Sequence, residues 1–167
     1  KALNYAEKNL IETRKMINGE IVLEKASNIT AALFQHDVSR NLDPQLHTHC
    51  VLSNVVERDD KKWRSAHFGK IFENKLLLGQ IYRSELAYEL AKKGYELVIT
   101  GKHSLFELKE ISDSLIRDFS SRSKEIAKAG ESYENLNARI KAELTLRTRN
   151  YKKEVSNELL TARWQLI

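Results

Sequence analysis

The only proline of the chain lies in a polar turn, Arg40-Asn41-Leu42-Asp43-Pro44, between two stretches that read as strands. No other feature limits the fold as strongly. Proline cannot donate to a sheet ladder, and Asn and Asp favour turns. Ile29 to Val38 precede the turn; Leu46 to Val56, rich in β-branched and aliphatic residues, follow it. A connection this short joins strands that run antiparallel. The geometry also has a chemical consequence. His47 and His49 stand two residues apart on the second strand, so both imidazoles point to one face, about 7 Å apart at the backbone. His36 lies on the preceding strand, and the turn brings that strand back beside the second.

Three imidazoles so placed are expected to converge on one ion at about 2.0–2.2 Å, leaving positions open for water or a phosphate oxygen, as a catalytic ion needs. Asp37 and Cys50 alternate to the opposite faces and are left out of the ligand set. An isolated His-x-His pair would read as two polar positions on a half-buried sheet; the third histidine across the turn favours a metal. All-imidazole ligation suits several first-row ions, so geometry alone does not name the metal; the expected cofactor is a divalent cation, Mg, Mn or Zn. His67 and His103 lie away from ligand spacing and read as structural or exposed.

Along the rest of the chain, Lys1 to Met16 reads as a helix stopped by Asn18-Gly19, with a short strand at Glu20 to Leu23. Trp63 to Ala66 reads as a strand. Ile71 to Lys93 has helical periodicity ending at Gly94. Tyr95 to Thr100 and His103 to Leu108 read as a hairpin. Ser112 to Ala129 is a helix with a break near Ser120-Ser121. Ser132-x-x-Asn135 opens another helix to about Leu146, and a last one spans Tyr151 to Gln165. The class is α+β: an antiparallel sheet carrying the three-histidine site, covered by helices. The expected organisation is a metal-binding part over residues 1–130 and a helical C-terminal extension over 131–167.

Composition narrows the partners. The 167 residues hold 28 Lys and Arg against 23 Asp and Glu, a net charge of +5. Apolar residues make up 41% and charged ones 31%, which fits a globular chain with a core. Runs such as Leu76 to Leu78 are far too short to cross a bilayer. One cysteine excludes an internal disulfide and points to a reducing compartment. Basic residues cluster twice. Lys61, Lys62, Arg64, Lys70 and Lys75 face only Glu73. Arg139, Lys141, Arg147, Arg149, Lys152 and Lys153 face only Glu143. Such stretches fit a nucleic-acid backbone, or else a solvated helix face or a linker. Lys61, Lys62, Arg64 and Lys75 are candidate phosphate contacts, and Trp63 is a stacking platform or a strand-packing residue.

The blocks His36-Asp37-Val38-Ser39-Arg40 and Asp43-Pro44-Gln45-Leu46-His47-Thr48-His49, with their spacing, closely resemble the three-histidine motif of TrwC/TraI-type (MobF) conjugative relaxases, within the HUH group of single-strand endonucleases. Trp63-Arg64-Ser65-Ala66, Ile81 to Leu86, Lys93 to Glu96, Gly101 to Ser104 and Phe119 to Ser123 are similar to later segments of the same domain. The resemblance implies an HUH relaxase fold and a bacterial cytoplasmic protein. It implies that single-stranded DNA at an origin of transfer is nicked by a tyrosine, which stays bonded to the 5′ phosphate, with His36, His47 and His49 as metal ligands. It also implies DNA contact by Arg40, in the turn beside the metal, and by Arg83.

The same resemblance places the catalytic tyrosines, with an assisting aspartate, well ahead of the first histidine. Only 35 residues precede His36 here, and Tyr5 is the one tyrosine among them. The chain begins at Lys1 without methionine. The expectation is therefore the C-terminal portion of a relaxase domain, an incomplete HUH fold inactive by itself. Its nucleophile would lie upstream or on a separate N-terminal relaxase fragment. The exposed sheet edges of such a portion would suit that fragment or a second copy of the chain. The alternatives are a non-catalytic single-strand DNA-binding module and a metal-dependent hydrolase using activated water.

Overall fold

Asn18-Gly19 closes a hairpin. Helix α1 (Ala2–Asn9) ends early, and strand β1 (Glu12–Ile17) follows, paired antiparallel with β2 (Glu20–Lys25) from Glu12↔Lys25 to Ile17↔Glu20. The expected helix over Lys1 to Met16 is thus corrected to a helix and a strand. Asn18 and Gly19 both take positive φ, 52° and 85°, the two-residue turn whose twist matches paired strands. Burial completes the override of helix propensity. Ile11 and Thr13 are fully buried, and Thr13 Oγ1 donates to the Ser65 carbonyl at 2.9 Å.

This computed structural model describes residues 1–131, 133, 137–149, 151 and 155–166. They form two compact units. The first comprises Lys1–Leu33 and Cys50–Glu110, the second Phe34–His49 and Ile111–Ile167. The strands β3 (Ala31–Val38) and β4 (Pro44–Leu52) form the expected histidine hairpin. Strands β5 (Val55–Glu57) and β6 (Trp63–His67) join the first hairpin in a sheet of order β2-β1-β6-β5. The first-half strands therefore do not make one sheet, since β3 and β4 pair only with each other among the described strands. Both are largely exposed along their length.

In the first unit Ile11, Ala26 and Val56 form a small buried core, with Ile29, Ala66, Phe68 and Ile71 packed on it. Asn74 divides the expected long helix into α2 (Gly69–Glu73) and α3 (Lys75–Lys92). Gly94 (φ +92°) ends α3: its N–H donates to Ala91, and that of Tyr95 donates to Leu90, satisfying carbonyls the helix leaves open. Strands β7 (Leu97–Ile99) and β8 (Phe106–Leu108) pair as a separate hairpin.

In the second unit, α4 (Asp113–Asp118) and α5 (Ser121–Gly130) show the expected break, and Ser112 caps α4. Helix α6 (Ala138–Arg147) is capped by Asn137, and α7 (Asn157–Gln165) by Ser156. Their starts lie later than the sequence reading placed them, because these side chains accept from the third backbone N–H beyond. Ser132, Asn135, Lys152 and Lys153 lie outside the described residues. The α+β class holds. No helix among the described residues is long and apolar enough to cross a membrane.

Candidate metal centre and nucleic-acid interface

The turn between the histidine strands is held by its own side chains. Ser39 Oγ accepts from the N–H groups of Asn41 (3.2 Å) and Asp43 (3.1 Å), and the Ser39 N–H donates to the Asp43 carbonyl at 2.8 Å. Leu42 is forced to φ 66°. Two helices then fix this turn from outside. The Asp43 carboxylate, only 6% exposed, accepts from Ser121 N–H (3.0 Å) and Ser121 Oγ (2.6 Å). It thereby meets the positive end of α5. Trp164 of α7 donates its indole N–H to the Leu42 carbonyl at 2.9 Å.

On this frame the three histidines come together. Ring centres lie 5.4 Å apart for His36 and His47, and 5.0 Å apart for each of the other two pairs. Imidazoles that ligate one ion at about 2.0–2.1 Å have centres about 5 Å apart. His47 Nδ1 lies 2.8 Å from the Gln45 carbonyl. A carbonyl only accepts, so Nδ1 carries the proton and Nε2 keeps its lone pair for a ligand role. No three His, Cys, Asp or Glu side chains among the described residues stand as a ready-made ligand set. The His36 and His47 ring planes lie 24° from parallel. Side-chain torsions can turn a nitrogen inward without moving the strand. The donor set therefore fits a divalent cation.

The histidines open into a pocket of about 260 Å³ shared with Val38, Ser39, Arg40, Gln45 and Arg149. A neighbouring cleft of about 410 Å³ shares Ser39, Arg40, Gln45 and Arg149, and adds Asn41, Asp43, Ser120, Arg122 and Ser123. Arg40, in the turn between the histidine strands, lines both cavities. The other expected cations lie in the first unit. Arg83 Nε donates to the His103 carbonyl at 2.8 Å, tying α3 to the β7–β8 loop. Arg64 Nη1 donates to the Trp63 carbonyl at 2.8 Å, and Lys61 Nζ lies 3.4 Å from Glu57. Lys62 follows Lys61 in the β5–β6 turn, and Lys75 opens α3. Trp63 is 52% exposed. His67 lies 3.8 Å from Glu12 in the first unit.

The TrwC relaxase family model matches residues 1–166. The chain belongs to the TrwC relaxase family. The multifunctional conjugation protein TraI of Escherichia coli is 35% identical over 163 residues, covering 93% of this chain and 9% of TraI. TraI of strain K12 is 32% identical over the same length. Among solved structures, the relaxase TrwC with origin-of-transfer DNA, in a metal-free state, superposes with a TM-score of 0.88 at 35% identity. That match covers 99% of this chain and 58% of the other. A metal-bound TrwC–DNA complex gives a TM-score of 0.87. The chain thus spans little more than half of the TrwC chains and about a tenth of TraI.

For this relaxase-family chain, sequence reasoning singled out the histidines and Arg40, which line one pocket, but not the parts that hold them. The Gln45 carbonyl is invisible to side-chain patterning. The bonds from Ser121 to Asp43 join residues 78 positions apart. Arg149 was visible only as one charge in a basic stretch that also read as linker.

Proposed function

We propose that this chain is the metal-binding portion of a conjugative relaxase domain. In this reading His36, His47 and His49 hold a divalent cation, Mg, Mn or Zn, at single-stranded origin-of-transfer DNA. When bound, such a cation polarises a phosphate and stabilises negative charge on its oxygens. The chain's own residues do the remainder. Neutral imidazoles leave the cation's charge intact for an anionic ligand. The Gln45 carbonyl holds the His47 tautomer, and Arg40 offers a fork of donors to a neighbouring phosphate oxygen or base edge. Arg83, Lys61, Lys62, Arg64 and Lys75 contribute further phosphate contacts. The observation that carries the reading is the packing of three imidazole rings within 5.0–5.4 Å.

The reaction is site-specific nicking by tyrosine transesterification, with the nucleophile supplied from outside these residues. No tyrosine lines the histidine pocket among the described residues. Among the described strands β3 and β4 pair only with each other, and their edges suit a strand from a separate N-terminal relaxase fragment or from a second copy of the chain. The same observation favours one alternative, an accessory module that binds single-stranded DNA without cutting it. A hydrolase using activated water would instead cleave DNA and leave no protein–DNA adduct.

Calorimetry with manganese and with zinc tests the ligand assignment. The unaltered chain should bind one ion, and a His47→Ala, His49→Ala double variant should lose that binding. Equal binding by both proteins would sink the assignment. Incubation with labelled single-stranded DNA and manganese separates the chemistry: cleavage by this chain alone would reject the missing-nucleophile reading.

A further inference from the structure

We propose that Arg149 holds a second backbone phosphate of the DNA strand bound at the histidines, and that Arg122 is its positioning residue. The proposal rests on the relaxase reading above and deepens it. Arg149 is the one residue beyond α6 that lines both the histidine pocket and the adjoining 410 Å³ cleft among the described residues. A strand lying through both would pass its side chain. Among the described residues the Arg149 guanidinium takes no hydrogen-bond or ion-pair partner, whereas that of Arg122 makes three hydrogen bonds. Arg122 Nη1 donates to the Thr148 carbonyl (2.7 Å) and to Glu125 Oε2 (2.9 Å), and its Nη2 donates to the Thr145 carbonyl (2.6 Å).

These bonds have two effects. They cap the carbonyl end of α6, whose partial negative charge would otherwise repel a phosphate entering the cleft. They also anchor the backbone one residue before Arg149. The anchor reaches back to the histidines, because Ser121, adjacent to Arg122, is bonded to the Asp43 carboxylate in the histidine turn. The path from the histidine strands through α5 and the end of α6 to Arg149 thus closes within one compact unit. Among the described residues the walls of pocket and cleft carry one acid, Asp43, and it already takes two hydrogen bonds from Ser121. Planar guanidinium groups favour phosphate oxygens through paired hydrogen bonds.

The test is fluorescence anisotropy with manganese present, using a labelled oligothymidylate of about 12 nucleotides, within ordinary site sizes. Arg149→Ala should weaken binding about three- to tenfold, the worth of an exposed charge-assisted contact. Between about 50 and 200 mM salt, the log–log slope should become shallower by about 0.7, one single-strand phosphate. Arg149→Lys should restore the slope. Manganese affinity and thermal midpoint should stay as in the unaltered chain. Arg122→Met should weaken binding in that chain and cost almost nothing further once residue 149 is alanine. Binding by Arg149→Ala with the original affinity and slope overturns the contact. An undiminished Arg122→Met effect in the Arg149→Ala background overturns the positioning role. Loss of salt-dependent binding in the unaltered chain would reject the DNA reading itself, an outcome distinct from both.

Discussion

Asp43 shows how one side chain serves both turn and site. Its carboxylate is buried and takes two hydrogen bonds from Ser121. Bonds to a charged group contribute about 1.5–3 kcal/mol each, and an orphaned buried donor costs about 1–3 kcal/mol. Asp43→Ala should therefore lower stability by about 2–4 kcal/mol, after partial rehydration of Ser121. Urea unfolding should show a lower midpoint with an unchanged slope; a midpoint shift too small to measure would refute it. Asp60 makes a different prediction. A side-chain hydrogen bond from Arg58 is the largest cause holding its carboxyl down, to about 2 from an ordinary 3.8. Between those values the unfolded chain binds more protons than the folded one. The Asp60 contribution is thus fully present above pH 3.8 and lost as pH falls through about 2. A carboxyl-carbon NMR titration should place the Asp60 midpoint near the lower value, and an Arg58→Gln variant should move it up.

At the scale of elements, the first hairpin and the histidine hairpin differ in how they are specified. Asn18-Gly19 is a strong local turn signal, yet the helix formers before it favour a helix locally, and the burial of Ile11 and Thr13 decides for the strand. Gly19 has φ +85°, with nothing within 4 Å of an added Cβ. Gly19→Ala therefore meets no clash and should cost about 1 kcal/mol through backbone strain alone. Thermal melting checks this, and an unchanged or raised midpoint would refute it. The second hairpin was legible in its turn and histidine register, because the polar turn and period-two histidines agree. Its bounds were not, since Pro44 opens β4, and Val55 and Val56, expected in the same strand, lie in β5 of the other sheet. The helix starts at Ala138 and Asn157 were less legible. Several Ser and Asn residues compete as caps in these segments, and packing selects among them.

At the scale of the whole molecule, the two units carry different shares of the proposed function: the histidines and three arginines in one, the remaining candidate phosphate contacts in the other. A cation bound only by the folded chain should stabilise it by mass action, about 2.7 kcal/mol at one hundred times its dissociation constant. Manganese or zinc should accordingly raise the thermal midpoint, and the His47→Ala, His49→Ala variant should show no such rise. An equal rise in both proteins would place the ion elsewhere.

The sequence by itself determined the α+β class, the antiparallel histidine hairpin, the ligand candidates and the family resemblance. Each depends on local chemistry: turn residues, the two-residue period of a strand, and a dense motif of fixed spacing. Tertiary structure alone decided that residues 12–17 are strand, that the histidine strands pair apart from the other sheet, and that Asp43, Ser121, Arg122 and Arg149 form one connected path. Those outcomes depend on burial and on hydrogen bonds between residues far apart in the chain. Their free energy exists only once the chain has folded, so no window of sequence contains it.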